Sequence, residues 1–142
     1  MYPDLEGKVA VVTGSGRHKG LGEAIARKLA SDGVKLVIHD LGAANGDLAP
    51  EHGVGASDEM VEVAEGIRAI NPDVTAFQAD MREEAQVEAL IAHAVKTYGK
   101  LDILVNNAGV GYLFGPLVDA TQDMWDTVIN VNLRGAFFAM KH

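Results

Sequence analysis

The sequence predicts an α/β fold in which helices cover both faces of a parallel sheet. Apolar, β-branched runs alternate with amphipathic helical patterns along the chain, which is typical of strand–helix–strand units. The run at residues 8–13 is almost unbroken in its apolar character, as expected for a strand buried on both sides. A glycine-rich turn joins this run to a helical pattern. Because crossovers between parallel strands are right-handed, these observations predict a doubly wound sheet with strand order 3-2-1-4.

The first half of the chain is predicted to hold two strands and two helices. Gly33 lies just past the first helical pattern, where glycine commonly ends a helix. Ser57 is a suitable N-cap for the second helix, and Pro72 ends it. The predicted elements are a strand at 8–13, a helix at 21–31, a strand at 35–40, a long loop at 41–56, and a helix from 57 to about 70.

The second half repeats this alternation. One helical pattern directs Val87, Leu90 and Ala94 to the same face, and Gly99 closes it. Thr121 is predicted to cap a last helix that runs toward the C-terminus. The predicted elements are a strand at 74–79, a helix at 83–98, a strand at 102–106, and a helix from 121 onward.

The segment at residues 14–22 predicts a dinucleotide site. Its glycines permit positive φ angles and a close approach of the backbone to a ligand. The helix that follows directs unpaired N–H groups and the positive end of its dipole at this turn. Asp40 lies 18 positions after Gly22, which matches a carboxylate that binds the ribose 2′-hydroxyl. The candidate residues here are Gly14, Ser15, Gly16, Arg17, Gly20, Leu21, Gly22, Asp40 and Leu41.

Two of these side chains bear on the choice between NAD and NADP. Asp40 accepts hydrogen bonds from a free ribose and repels a 2′-phosphate, which favours NAD. A basic residue in the loop is suited to hold that phosphate, so Arg17 favours NADP. On balance the sequence predicts NAD, with NADP less favoured. Two interpretations of Arg17, His18 and Lys19 stay open: pairing with phosphate, or solvated loop charges.

Polar residues also follow the third and fourth predicted strands. Asp80 directly follows one and Asn107 the other. Because carboxyl ends of parallel strands share one edge of a sheet, ligands bind there, near the point where the strand order reverses. Asp80 is also suited to cap the helix that begins near residue 83, and the residues at 107–109 are suited to a plain turn.

Composition excludes several classes of function. Twenty acidic and 12 basic residues give a net charge of −8, which repels nucleic acid. There is no cysteine, so disulfides and thiolate chemistry are excluded. The five histidines, at positions 18, 39, 52, 93 and 142, lack ligand spacing, so no metal site is predicted. Without a secretory signal or an apolar run of about 18 residues, we expect no membrane contact and a cytoplasmic location.

Several motifs resemble the short-chain dehydrogenase/reductase family. The family's T-G-x-x-x-G-x-G motif is similar to Thr13-Gly14 followed by Gly20-x-Gly22, although five residues, instead of three, separate Gly14 from Gly20. The match extends over nearly the whole chain. Its other motifs are N-N-A-G at Asn106, Asn107, Ala108 and Gly109, and N-x-x-G from Asn132 to Gly135.

The resemblance implies roles for these residues. Asp80-Met81 is similar to the pair that holds the adenine ring in this family. Asn132 is implied to help hold a water and the active-site lysine in a proton relay, which makes it the one catalytic candidate. Gly135 is suited to close backbone packing or a helix distortion. The resemblance thus adds to the cofactor candidates Asp80, Met81, Asn107, Ala108 and Gly109.

The resemblance implies a Rossmann-type, NAD-dependent oxidoreductase that transfers hydride between the cofactor and a small-molecule alcohol or ketone. In this family a serine and a Tyr-x-x-x-Lys pair perform the chemistry, and no tyrosine here has a lysine four residues later. Residues 1–142 are therefore interpreted as the N-terminal, cofactor-binding part of such a domain, inactive alone. The alternatives are a non-catalytic NAD-binding module and, less favoured by the motifs, a nucleotide-sugar epimerase or dehydratase.

Two apolar surfaces support the expectation that something covers this part. The strand at 102–106 is apolar, yet it is an edge in a 3-2-1-4 sheet, and exposed apolar edges favour aggregation. The last helix is apolar around much of its circumference. We expect a missing C-terminal half, a second chain or a homo-oligomer partner to cover them.

Overall fold

A computed structural model describes residues 2–42, 57–111 and 115–142. The predicted loop at 41–56 lies outside these residues, apart from Leu41 and Gly42. Short 3₁₀ turns occur at Pro3–Leu5 and Leu117–Asp119. The main elements are β1 (Val9–Val12), α1 (Leu21–Ser31), β2 (Lys35–Asp40), α2 (Ser57–Arg68), β3 (Val74–Gln78), α3 (Glu84–Tyr98), β4 (Ile103–Val105), α4 (Gln122–Ile129) and α5 (Gly135–Lys141).

The sheet has the predicted parallel order, β3-β2-β1-β4. Val11 in β1 pairs with Val37 in β2 on one side and with Leu104 in β4 on the other. The carboxyl ends of all four strands therefore lie along one edge, and the strand order reverses between β1 and β4. That edge is where the sequence places its candidate residues.

Helices cover both faces of the sheet, which confirms the doubly wound prediction. Alternate residues of β1 point to opposite faces, so Val12 packs on the side of α1 and α2, and Val11 packs on the side of α3. The α1 and α2 side holds Ala26, Ala30, Met60, Val63, Ala64 and Ile67. The α3 side holds Leu90, Ile91 and Ala94, of which Leu90 and Ala94 lie on the predicted inward face of that helix.

Helix ends follow the local chemistry of the sequence. Gly99 adopts φ +83° and ends α3, and the Thr121 side chain accepts a hydrogen bond from the Met124 N–H at the start of α4. Ser57 is the first helical residue of α2 instead of its N-cap. The N-cap of α3 is Glu83, so this helix begins one residue later than predicted. Shifts of one residue are ordinary at frayed helix ends.

The last helix differs from the prediction, because a π-helical turn at Asn130–Arg134 separates α4 from α5. The buried positions of this helix recur at every fourth residue, in Thr127, Val131, Gly135 and Ala139. In a regular α-helix, a spacing of four residues rotates each buried position by about 40° relative to the one before it, so the positions would drift off the buried face. The wider π turn takes up part of this drift and keeps these residues on the buried side.

Apolar surface remains exposed near β4 and the last helix. Within the described ranges, β4 pairs with β1 and has no strand on its other side. None of the described helices has the length and apolar character needed to cross a bilayer. The exposed large side chains of the last helix are Met124, Trp125, Leu133, Phe137 and Met140.

Candidate functional site

A cavity of about 280 Å³ lies at the carboxyl edge of the sheet. The loop after β1, the start of α1, and the ends of β2, β3 and β4 form its walls. The predicted cofactor residues that line it are Gly14, Arg17, Gly20, Leu21, Gly22, Asp40, Leu41, Asp80, Met81, Asn107, Ala108 and Gly109. The structure therefore brings together predicted residues that are far apart in the sequence, up to 95 positions in the case of Gly14 and Gly109.

Two glycines of the loop after β1 are required by its geometry. Gly14 has φ +65°, and a Cβ there would lie 2.7 Å from the Cα of Ala108. A Cβ on Gly22 would lie 2.6 Å from Asn107 Nδ2 and 2.7 Å from the Cα of Ser15. Real carbon contacts are about 3.5–4.0 Å. Only glycine lets the loop, the start of α1 and the end of β4 approach this closely.

Thr13 and Asn107 connect the ends of β1 and β4. The Thr13 hydroxyl donates to the Val105 carbonyl at 3.2 Å and accepts from the Asn107 and Ala108 N–H groups, each at 3.0 Å. The Asn107 amide donates to the carbonyls of Thr13 and Gly14, both at 2.9 Å. The motif after β4 is thus more than a plain turn, because its side chain holds the loop after β1 in position.

The carboxylate of Asp40 is fixed at the end of β2. Its Oδ2 accepts from the Gly16 N–H at 3.0 Å, and its Oδ1 accepts from the Leu41 N–H at 2.9 Å. The residue is only partly buried and lines the cavity. These two backbone donors orient the acidic group beside the glycine-rich loop, and its contact with a ribose stays a prediction.

Ser15 and Gly16 are candidate residues that do not line the cavity. Ser15 is fully buried, its hydroxyl donates to the Val12 carbonyl at 2.6 Å, and its N–H donates to the His39 carbonyl at 2.7 Å. The Gly16 N–H is taken up by Asp40. Both residues support the loop from behind, and their contact with a cofactor stays a prediction.

The end of β3 supplies Asp80 and Met81. The Asp80 carboxylate accepts from the Arg82 side chain, with Nη2–Oδ2 at 2.7 Å and Nε–Oδ1 at 3.0 Å. The helix-cap alternative is not observed, because Glu83 is the N-cap of α3. Met81 is buried, and a Cβ on Gly135 would lie 2.8 Å from its Cβ. Gly135 thus provides the close backbone packing that the sequence suggested.

The loop with the unusual glycine spacing is attached to two helices. The His18 N–H donates to Glu59 on α2 at 2.8 Å, and the His18 ring lies 3.2 Å from Glu62. The Lys19 N–H donates to Glu23 on α1 at 2.6 Å, and Lys19 takes φ +59°. Neither residue lines the cavity, whereas Arg17 does. Of the three basic residues, the structure therefore directs only Arg17 at the site.

Glu23 holds this loop as a carboxylate. Burial raises the pKa of Glu23, but hydrogen bonds from the Arg27 side chain and the Lys19 N–H outweigh it, and the net pKa is lowered. Arg27 Nη2 lies 2.8 Å from Glu23 Oε1, and Arg27 Nη1 also donates to the Gly66 carbonyl at 3.0 Å. The loop after β1 is thus connected through α1 to α2.

Asn132 lies on the π turn and faces the segment after β4. Its Oδ1 accepts from the Val110 N–H at 2.8 Å, and its Nδ2 donates to the Val110 carbonyl at 2.9 Å. Asn132 is exposed and does not line the cavity, but Val110 does. In this structure the side chain therefore orients a wall of the site, and its catalytic role stays a prediction.

Four lining residues escaped the sequence analysis: His39, Ala79, Val110 and Val131. Each is next in sequence to a predicted site residue, and this adjacency is the one sequence signal that could have identified it. His39 is 1% exposed, and burial lowers its pKa below the ordinary value, although the Ala79 carbonyl and the Asp40 and Asp80 carboxylates favour the charged ring.

Comparisons with known proteins agree with this architecture. The sequence model of the short chain dehydrogenases matches residues 8–142. A short chain dehydrogenase/reductase of Aspergillus novofumigatus is 42% identical over 137 residues, covering 96% of this chain and 46% of that protein. One from Cryptosporiopsis sp. is 39% identical with the same coverage. The chain thus spans about half the length of these relatives.

Solved structures share the fold as well. Carveol dehydrogenase from Mycobacterium avium in complex with NAD has a TM-score of 0.87 at 27% identity, covering 99% of this chain and 49% of that chain. A short chain dehydrogenase/reductase from Burkholderia phymatum in complex with NAD has a TM-score of 0.81 at 34% identity, covering 99% and 44%.

Proposed function

The chain belongs to the short-chain dehydrogenase family, and on that premise we propose that it forms the NAD-binding half of an oxidoreductase. The proposed reaction moves a hydride between the nicotinamide of NAD and a small-molecule alcohol or ketone. The observation that carries the proposal is the Asp40 carboxylate, which two backbone N–H groups orient toward the cavity beside the glycine-rich loop.

The loop after β1 fits a diphosphate. Gly14 and Gly22 allow the loop to pack against the end of β4 and the start of α1, because a Cβ on either would overlap backbone or Asn107 atoms. Gly20, Leu21 and Gly22 begin α1 and line the cavity. The first N–H groups of a helix and the positive end of its dipole favour an anion. These backbone groups would therefore hold the diphosphate.

Asp40 supports NAD in preference to NADP. Its oriented carboxylate would accept hydrogen bonds from the adenosine ribose and repel a 2′-phosphate. Arg17 also lines the cavity, and it is the one feature in the described part of the site that favours the phosphate of NADP. Because Asp40 is fixed by two hydrogen bonds, we assign it the larger influence.

The remaining walls would hold the two ends of the cofactor. Asp80 and Met81 would contact the adenine, and Asn107 to Gly109 would contact the nicotinamide side. Bound NAD supplies the hydride acceptor. Asn132 would keep the wall at Val110 in place through its two hydrogen bonds. We propose that the 142-residue chain binds NAD but does not turn over substrate by itself. Its cytoplasmic location and its assembly into a homo-oligomer stay predictions.

Calorimetric titration of the protein that carries this chain with NAD and NADP tests the proposal. Hydrogen bonds to a charged group contribute about 1.5–3 kcal/mol, so Asp40→Asn should weaken NAD binding by roughly 10- to 100-fold. The ratio of NADP to NAD affinity should rise. Asp73→Asn is the matched control, because Asp73 precedes β3 at the opposite edge of the sheet, where it pairs with Lys35. Absence of NAD binding by the unmodified protein would refute the proposal.

A further inference from the structure

The His39 side chain connects three strand ends behind the proposed cofactor site. Its Nδ1 accepts from the Gly14 N–H at 3.2 Å, and its Nε2 lies 2.9 Å from the Ala79 carbonyl oxygen. The backbone of His39 also exchanges hydrogen bonds with Ser15, since its N–H donates to Ser15 Oγ at 3.2 Å and its carbonyl accepts from the Ser15 N–H at 2.7 Å. One residue of β2 therefore holds the loop after β1 and the end of β3.

The two ring contacts determine the protonation state of His39. The Gly14 N–H is always a donor, so Nδ1 must present its lone pair. The Ala79 carbonyl is always an acceptor, so Nε2 must carry the proton. Only the neutral Nε2–H tautomer satisfies both partners. A second proton on Nδ1 would point at the Gly14 N–H and break that contact.

The surroundings of the ring agree with a neutral form. His39 is 1% exposed, and burial penalises the charged ring. The charged groups that act on it are the carboxylates of Asp40, on β2, and Asp80, after β3, and both favour protonation. They are engaged elsewhere, Asp40 with the Gly16 and Leu41 N–H groups and Asp80 with Arg82.

We propose that His39 is a positioning residue for the dinucleotide, whose neutral Nε2–H imidazole fixes the Gly14 amide and ties the diphosphate-binding loop to the carboxyl end of β3. The inference rests on the proposed NAD site. Gly14 is the position at which the loop turns with φ +65° against Ala108. Without an acceptor at Nδ1, the partly buried Gly14 N–H loses its protein partner, and we expect the loop to shift.

Three substitutions separate this role from simple burial. In His39→Asn the side-chain oxygen replaces Nδ1 as the acceptor for Gly14, but nothing reaches Ala79. In His39→Gln the amide nitrogen replaces Nε2 as the donor to Ala79, but nothing accepts from Gly14. His39→Leu removes both contacts. Each of the first two variants loses one hydrogen bond, so a merely structural role predicts similar thermal stability and similar NAD affinity for both.

Calorimetric NAD titrations, with the melting temperature measured in parallel, should distinguish the variants. We expect His39→Asn to bind NAD within about 3-fold of the unmodified protein, and His39→Gln and His39→Leu to bind about 10-fold more weakly, the equivalent of one hydrogen bond. Long-range ¹⁵N NMR of the ring should show an unprotonated Nδ1 and a protonated Nε2 at pH 7. His18→Asn is the control: it supports the assignment of the ring signals, and it replaces a histidine of the loop after β1 that does not line the cavity.

The outcomes are distinguishable. NAD binding by the unmodified protein with equal affinities for His39→Asn and His39→Gln would overturn the inference and leave the proposed function intact. A protonated Nδ1 at pH 7 would overturn it as well. No NAD binding by the unmodified protein would overturn the proposed function, and the positioning role with it.

Discussion

Gly22→Ala tests whether the proposed diphosphate-binding loop depends on the close approach of α1 to the end of β4. The added Cβ would lie 2.6 Å from Asn107 Nδ2 and 2.7 Å from the Cα of Ser15, and it would also overlap the Gly14 carbonyl oxygen. These atoms belong to the backbone or to a side chain held by two hydrogen bonds, so none of them yields easily. Reaching ordinary contact of about 3.5 Å requires a shift of roughly 1 Å.

The expected cost of Gly22→Ala follows from these contacts. Overpacking a closely packed site costs about 1–3 kcal/mol. Each hydrogen bond of Asn107 that breaks costs about 1 kcal/mol more. Alanine recovers about 0.5–1 kcal/mol because it favours the helix more than glycine does. The free energy of unfolding should therefore fall by about 2 kcal/mol, and NAD affinity should fall at least about 10-fold because the anion-binding loop moves.

Urea denaturation and calorimetric NAD titration measure the two effects of Gly22→Ala. Gly99→Ala at the end of α3 is the matched control, because its Cβ would meet no atom within 4 Å and its cost comes from the positive φ of +83°. We expect this control to lose about 1 kcal/mol of stability and to keep its NAD affinity. Equal stability and equal affinity in the Gly22 and Gly99 variants would refute the argument from close approach.

Two further predictions concern the ends of β4. Hydrogen bonds from Lys100 and the Val9 N–H lower the pKa of Asp102, so its contribution to stability is present above the ordinary value of 3.8 and is lost as the pH falls below it. Asp102→Asn should therefore be less stable than the unmodified protein at pH 7 in urea denaturation, with a difference that narrows below pH 3.8; a constant difference would contradict this. Asn132→Ala removes both hydrogen bonds to Val110 and should lower the free energy of unfolding by about 1 kcal/mol. Asn132→Asp should be intermediate because it keeps one acceptor. If urea denaturation shows no change in either variant, the hydrogen bonds between Asn132 and Val110 do not contribute to stability.

The local patterns of the sequence were sufficient for the fold. Strand and helix bounds follow from apolar runs and helix caps, for example Thr121 and Gly99, because these signals act over a few neighbouring residues. The parallel order followed from the alternation of elements and the handedness of crossovers. The candidate site was predictable because Asp40, Asp80 and Asn107 each lie at or just past the end of a strand, and strand ends meet at one edge.

Only the tertiary structure decided how those residues are held. The attachment of His18 to α2, the Thr13–Asn107 connection and the hydrogen bonds between Asn132 and Val110 depend on partners far apart in the chain. His39 shows the reason most directly. Its side chain joins Gly14 to Ala79, across 65 positions of sequence, and no local pattern records which buried donor an imidazole will meet once the strands have assembled.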